Sequence, residues 1–257
     1  MDACDNIGVS ADPTTVVCDF ETAAINAIKA TLGTHVLVKG CFFHLCQSTW
    51  RKVQELGLVQ SYKSNTDVKK LVRMIDAVAY LPEPDVPAGI QYLQQNIPVC
   101  ADTDQLRDLL TYFDTTYVSG PVRRVQRPAT DAAAIPRLVI RRLQPLFPPS
   151  LWTVHDATLN GTDRTNNLCE AWNRGFGALV GHTHPSFWVA VESLQQDSAS
   201  ATTILLQHAR GQPPAKRTKR STVRLQQQLQ SICRELRDGR QTIAQALSAL
   251  SNTITYE

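Results

Sequence analysis

The sequence predicts an α/β fold, with one small strand–helix–strand unit at its start and a long, mostly helical remainder. Three observations carry this. Two short apolar runs at 14–18 and 35–38 flank an alanine-rich segment with helical spacing. From residue 43 onward, apolar residues recur at three- to four-residue intervals. The chain has 257 residues, 43% hydrophobic and 19% charged, enough to bury a sizeable core.

The elements follow in order. Thr14–Cys18 is short, β-branched and apolar, as a buried strand is. Ala23, Ala24, Ala27, Ile28 and Leu32 form a helical stripe, and Gly33 is placed to end it. His35–Val38 reads as a second strand. A strand, a helix and a strand with short joints make a parallel βαβ crossover at 14–38. Helices are expected at 43–58, 67–80, 86–96 and 102–118, with Leu81–Pro87 as a proline-rich break. Six prolines and several arginines between Ser119 and Pro149 predict a long irregular connection with one short helix near 135–144. Helix resumes at 167–179 and again from Pro185, a good first helical residue. Residues 222–254 read as two amphipathic helices broken near Asp238-Gly239.

Composition narrows the function classes. No apolar run is long enough for a helical membrane span, and Asp2, Asp5, Asp12 and Asp19 replace the basic start of a secretory leader. A soluble, unsecreted protein is expected. The seven cysteines are odd in number and widely scattered, which fits a reducing compartment better than a disulfide framework. The net charge of +3 hides two basic blocks, +5 over 123–142 and +6 over 210–224, on an acidic remainder of −8. Such blocks suit a polyanion or a transport receptor. A solvated face and a flexible linker would look the same.

Candidate chemistry sits in three places. Asp19 ends the first strand, where metal ligands collect in α/β sheets; periodicity by itself favours it as the N-cap of the next helix. Glu170 follows Asn167 by three residues, a spacing shared with a capping box. Cys41-Phe42-Phe43-His44 has the spacing of a zinc half-site, but no second pair follows soon, so a buried cysteine and a hydrogen-bonded histidine are the competing reading.

Several strings then line up. Pro13-Thr14-Thr15-Val16-Val17-Cys18-Asp19-Phe20-Glu21 precedes an alanine-rich helix, and Gly40-Cys41-Phe42-Phe43-His44-Leu45-Cys46-Gln47 follows it. Arg51–Leu58, Tyr80-Leu81-Pro82, Tyr112-Phe113, Tyr117-Val118 and Pro148–Trp152 come next. Arg164-Thr165-Asn166-Asn167 with Glu170 and Trp172, then His184–Trp188, close the series. In this order, over about residues 13–196, the chain resembles the catalytic domain of Mutator-like (MULE) transposases.

The resemblance implies a ribonuclease-H-like fold, here a partial core around 14–38, with an all-helical insertion over about 41–160. It implies a DDE triad, two Asp and one Glu, that holds Mg²⁺ or Mn²⁺ for DNA strand cleavage and transfer. Asp19 matches the second carboxylate and Glu170 the third, both as catalytic and metal-binding residues expected to converge on a shared ion. Cys41, His44, Arg164, Asn166 and Asn167 match near-site motifs. The first Asp belongs on an earlier strand, and the thirteen residues before Thr14 leave no room for it. The expectation is an N-terminally truncated or degenerate transposase, nucleic-acid binding and inactive as written. The alternative is a domesticated DNA- or protein-binding module without catalysis.

Expected domains are a partial transposase domain at 1–196, a basic linker at 197–221 and a helical segment at 222–257. DNA is the expected partner, through Arg123, Arg124, Arg127, Arg141, Arg142, Lys216, Arg217, Lys219 and Arg220. The stretch 213–220 resembles a nuclear import signal, placing the protein in the nucleus or otherwise the cytoplasm. An unpaired sheet edge would favour self-association.

Overall fold

The computed structural model describes residues 12–127, 137–211 and 219–254. It is an α/β molecule, mostly helical, with two small two-stranded sheets. Two compact units are present, Met1–Thr165 with Leu225–Glu257, and Asn166–Arg224.

The first unit opens with β1 (Thr15–Cys18), α1 (Thr22–Leu32) and β2 (Leu37–Gly40). The strands pair in parallel, Thr15 opposite Leu37 through Cys18 opposite Gly40. This is the crossover unit that the apolar runs predict, with the second strand two residues further on. Gly33, at φ +90°, stops α1 as expected. Asp19 does not cap α1; Glu21 holds the N-cap position without a side-chain cap bond.

Helices α2 (Phe42–Glu55), α3 (Val59–Ser64), α4 (Thr66–Ala77), α5 (Val86–Gln95) and α6 (Thr103–Phe113) follow. Asn65 starts α4 by accepting hydrogen bonds from the backbone N–H groups of Asp67 and Val68. The 81–87 break is real. Two short turns, Val78–Tyr80 and Glu83–Asp85, fill it before α5. One wide helical turn, Asp114–Val118, extends α6.

The expected irregular connection at 119–149 is corrected. Strands β3 (Val122–Arg127) and β4 (Arg137–Arg142) pair as an antiparallel hairpin, and no helix occupies 137–142. Arginine is an unusual strand residue, so propensity together with the flanking prolines concealed the two strands. Gly120 roots the hairpin at φ +76°, where an added Cβ would lie 2.1 Å from the Leu143 carbonyl oxygen. Short helices α7 (Pro149–Trp152) and α8 (His155–Asn160) return the chain to the core.

The helices after the basic stretch, α11 (Arg220–Arg237) and α12 (Ile243–Thr253), are separated at Gly239 as the pattern predicts. From Leu225 on they belong to the first unit rather than to a separate C-terminal segment. Leu229, Ile232, Cys233, Leu236, Leu247 and Leu250 join α4, α5 and α6 in one buried cluster. An amphipathic helix needs somewhere to bury its stripe, and this is the place.

The second unit holds α9 (Asn167–Val180) and α10 (Phe187–Ala209). Helix α10 runs past residue 197, where the linker was expected to begin. Ser186 stands at its start, its hydroxyl accepting from the Val189 N–H. His182 and His184 lie on the exposed loop before it.

Candidate functional site at the end of strand β1

Asp19 stands one residue past β1, at its carboxyl end. His44 lies in the first turn of α2, and its Nδ1 is 3.0 Å from Asp19 Oδ1. Two residues 25 positions apart are thus joined by the backbone that follows each strand. The Cys41 N–H donates to the Cys18 carbonyl at 2.8 Å, which fixes the start of α2 against the end of β1. Asp19 keeps 53% of its side chain exposed, and His44 only 22%.

The pair opens onto a cleft of about 530 Å³. Helix α2 contributes His44, Gln47, Ser48 and Arg51, spaced to share one face. Opposite them stand Tyr112, Thr116 and Tyr117, with Leu146 and Phe147 closing the side. The Ser48 hydroxyl lies 2.9 Å from the Tyr112 hydroxyl and 2.6 Å from that of Tyr117. Arg51 donates to the Gln47 side-chain oxygen at 2.8 Å. Phe20 packs edge-on against both Tyr117 and Phe147, at 5.8 and 5.1 Å between ring centres. Gly40 makes room for it, since a Cβ there would fall 2.6 Å from the Phe20 ring.

Burial sets the electrostatics nearby. It pushes the Cys18 thiol above its ordinary range, with the Asp19 charge adding to the effect. It pushes the Lys39 ammonium down, against the pull of Asp156 and Glu83. Tyr117 is raised by burial as well, opposed by its hydrogen bond to Ser48.

The other sequence-selected residues divide among three places. Cys41 is fully buried beside the site, and Arg164 braces it from behind. The Arg164 carbonyl accepts the Phe42 N–H at 2.9 Å. Its guanidinium lies over the Tyr80 ring and donates to Gln226 at 2.9 Å. Arg164 is therefore a positioning residue for the start of α2. Asn166, Asn167 and Glu170 belong to the second unit. There Asn166, not Asn167, is the N-cap residue of α9, so the spacing that suggested a capping box is off by one. Glu170 is half-buried in the first turn of α9, where its N–H donates to the Asn166 carbonyl at 3.2 Å.

Arg123, Arg124, Arg141 and Arg142 are exposed on the hairpin, and Arg127 ends β3. Lys219 and Arg220 are exposed at the start of α11. Lys216 and Arg217, with most of the 213–220 stretch, lie outside the described residues. Residue type alone did not mark the Ser48–Tyr112–Tyr117 hydroxyls or Arg51. The polar stripe His44-Gln47-Ser48-Arg51 on an otherwise amphipathic helix was the available signal.

For a divalent metal, the donor set is thin. Magnesium and manganese favour several oxygen ligands, and in the cleft the strand-end carboxylate meets an imidazole. Glu21 lines the same cleft. Among the described residues, no three His, Cys, Asp or Glu side chains gather where they could hold a metal. The described residues of the cleft do not fit a two-metal centre. The described cysteines, Cys18, Cys41, Cys46, Cys100, Cys169 and Cys233, are free thiols. Among the described residues no helix is long and apolar enough to cross a membrane. No protein-family model, curated protein or solved structure matches the chain.

Proposed function

We propose that the chain is a nucleic-acid-binding relative of Mutator-like transposases, built on part of a ribonuclease-H-like core. In this reading β1, α1 and β2 belong to that core, and α2 to α8 with the hairpin form its insertion. Asp19 and Glu170 stand for the second and third acidic motifs. The observation that carries the reading is the 3.0 Å contact between Asp19 and His44. The two belong to separate blocks of the resemblance, and both line one cleft beside Arg51. Arg51 and the hydroxyls of Ser48, Tyr112 and Tyr117 can donate to phosphodiester oxygens at the strand end, where ligands of α/β sheets collect.

Binding without turnover is the form of the activity proposed. Two-metal phosphoryl transfer needs a carboxylate bridging both ions, and among the described residues no three metal-ligating side chains gather to build such a centre. The chain would then act in the nucleus as a DNA-bound, transposase-derived module, with 213–220 as its import signal.

The experiment is purified chain, a labelled DNA duplex, and Mn²⁺ or Mg²⁺ against a chelator. Retention of the duplex without cleavage, alike in metal and chelator, is expected. Cleavage that disappears in Asp19→Asn and in Glu170→Gln would show a working nuclease and overturn the non-catalytic form. No retention at low salt would remove the nucleic-acid reading itself.

A further inference from the structure

We infer that the β3–β4 hairpin is a duplex-binding ribbon whose arginines lead a nucleic-acid backbone to the Asp19 cleft. This rests on the nucleic-acid reading above and names the element that does the work.

The two strands carry six arginines and no acid in twelve positions. The antiparallel register sets Arg123 opposite Arg141 and Arg127 opposite Arg137. Alternation along a strand gives Arg123 and Arg141 the same face. Like charges directly opposite one another destabilise a sheet, so this pairing opposes folding of the free hairpin. A polyanion removes the conflict, because the Arg123 and Arg141 guanidinium groups then meet phosphate oxygens rather than a like charge.

Shape agrees with charge. A ribbon of two six-residue strands is about 20 Å long, and a duplex groove about 12 Å wide admits a two-stranded ribbon. Arg123, Arg124 and Arg141 are exposed, and so is Ile140, at 73%. Arg142 differs. It donates to the Gly120 carbonyl at 3.3 Å and lies 3.7 Å from Asp114, so it ties the ribbon to its root.

The root adds the second half of the inference. The chain enters the hairpin from Thr116 and Tyr117 and leaves it to Leu146 and Phe147, four residues that line the Asp19 cleft. The Phe147 N–H donates to the Thr116 carbonyl at 3.2 Å, and the Leu143 N–H to that of Pro121 at 2.9 Å. A phosphate backbone lying on the ribbon therefore runs on to the wall that faces Asp19, His44 and Arg51.

The test uses the full chain and a fluorescein-labelled random-sequence duplex, followed by anisotropy over a salt series with chelator present. The double variant Arg123→Gln/Arg141→Gln should bind at least about tenfold more weakly near 0.1 M salt. Its plot of log affinity against log salt should be shallower by about two. The Arg123→Lys/Arg141→Lys variant keeps both charges and should keep the slope; the far-UV circular dichroism of both variants should match the parent. If the parent binds and the glutamine variant binds equally well, the ribbon is overturned while the nucleic-acid reading stands. Loss of binding confined to Lys219→Gln/Arg220→Gln would overturn the ribbon in the same way. If the parent does not bind, both ideas fall. Equal or tighter binding of the matching single strand would overturn the duplex assignment.

Discussion

Strands β1 and β2 run parallel beside the core, with Val38 buried and Val16 and Val17 half-buried, whereas β3 and β4 run antiparallel and are half arginine. The first pair is held by what it buries, since β2 packs on α7 and contributes Val38 to the main apolar cluster. The second is held by its ladder and its root, with Val122 and Ile140 left 54% and 73% exposed. The contrast separates an element held by the core from one held by its own ladder and root.

Trp152 is where the two regions meet, and its loss should have the largest effect. It is fully buried on α7, against β2. Its indole N–H is shared between the carbonyls of Tyr117 and Phe147, 3.0 Å from each, on either side of the hairpin. Trp152→Ala removes a large core side chain and leaves both carbonyls without that donor, for a cost of about 3–5 kcal/mol. Thermal unfolding by circular dichroism should show the drop, with one cooperative transition. A loss below about 1 kcal/mol would mean the two sheets are not joined through this ring.

The same contrast explains what the sequence could and could not reveal. The unit at 14–40 was legible because apolar strand runs and an alanine-rich helix follow their own periodicities. Helices α2, α4, α5 and α6 were legible for the same reason, within a few residues at each end. The hairpin was not. Its prolines lie outside the strands, at 121, 128, 136 and 145, but read together with the arginines they looked like continuous irregular chain. The role of α11 and α12 was half legible. Leu229, Ile232 and Leu236 announced a stripe, yet no local pattern says which helix will cover it. At the site, Asp19 and Cys41-x-x-His44 stood out by residue type. Their meeting depends on β1 and β2 being neighbours, which sequence spacing only implies. Ser48, Tyr112 and Tyr117 converge from two helices and the turn after α6, and nothing local marks such a cluster.

pH should separate the core from the ribbon. Guanidinium groups keep their charge over the accessible range, so the hairpin has nothing to titrate. Cys233 does. It is buried behind Tyr80, its Sγ 3.8 Å from the Tyr80 carbonyl. Burial pushes its thiol from 9.0 to about 12, with the Arg164 charge opposing. The folded value is the higher one, so the unfolded chain releases its proton first. The stability is fully present below pH 9 and is lost as pH rises toward about 12, by about 1.4 kcal/mol per unit for this thiol. Urea melts at pH 8 and pH 10 should show Cys233→Ala losing less stability on going to pH 10 than the parent. Equal losses in the two proteins would show that the thiol titrates normally in the fold.

The smallest effect is the one that most sharpens the contrast. Arg141→Gln removes one member of the Arg123–Arg141 cross-strand pair without touching the Gly120 root or the Asp114–Arg142 contact. If the arginines were there for the fold, the change would cost stability. The structure gives the opposite sign. The side chain is exposed, and its directly opposite neighbour carries the same charge. Relief of that repulsion is worth a few tenths of a kcal/mol, within the usual range for cross-strand pairs. For a chain of this size that is a rise in Tm of about 1 °C, larger at low salt because screening weakens the repulsion. Differential scanning fluorimetry at two ionic strengths reads both the sign and the salt dependence. A fall of more than about 2 °C would make Arg141 a structural residue and draw the hairpin back toward the kind of element that β1 and β2 represent. A small rise, paired with weaker duplex binding by the same variant, would show stability given up at this position for a charged partner.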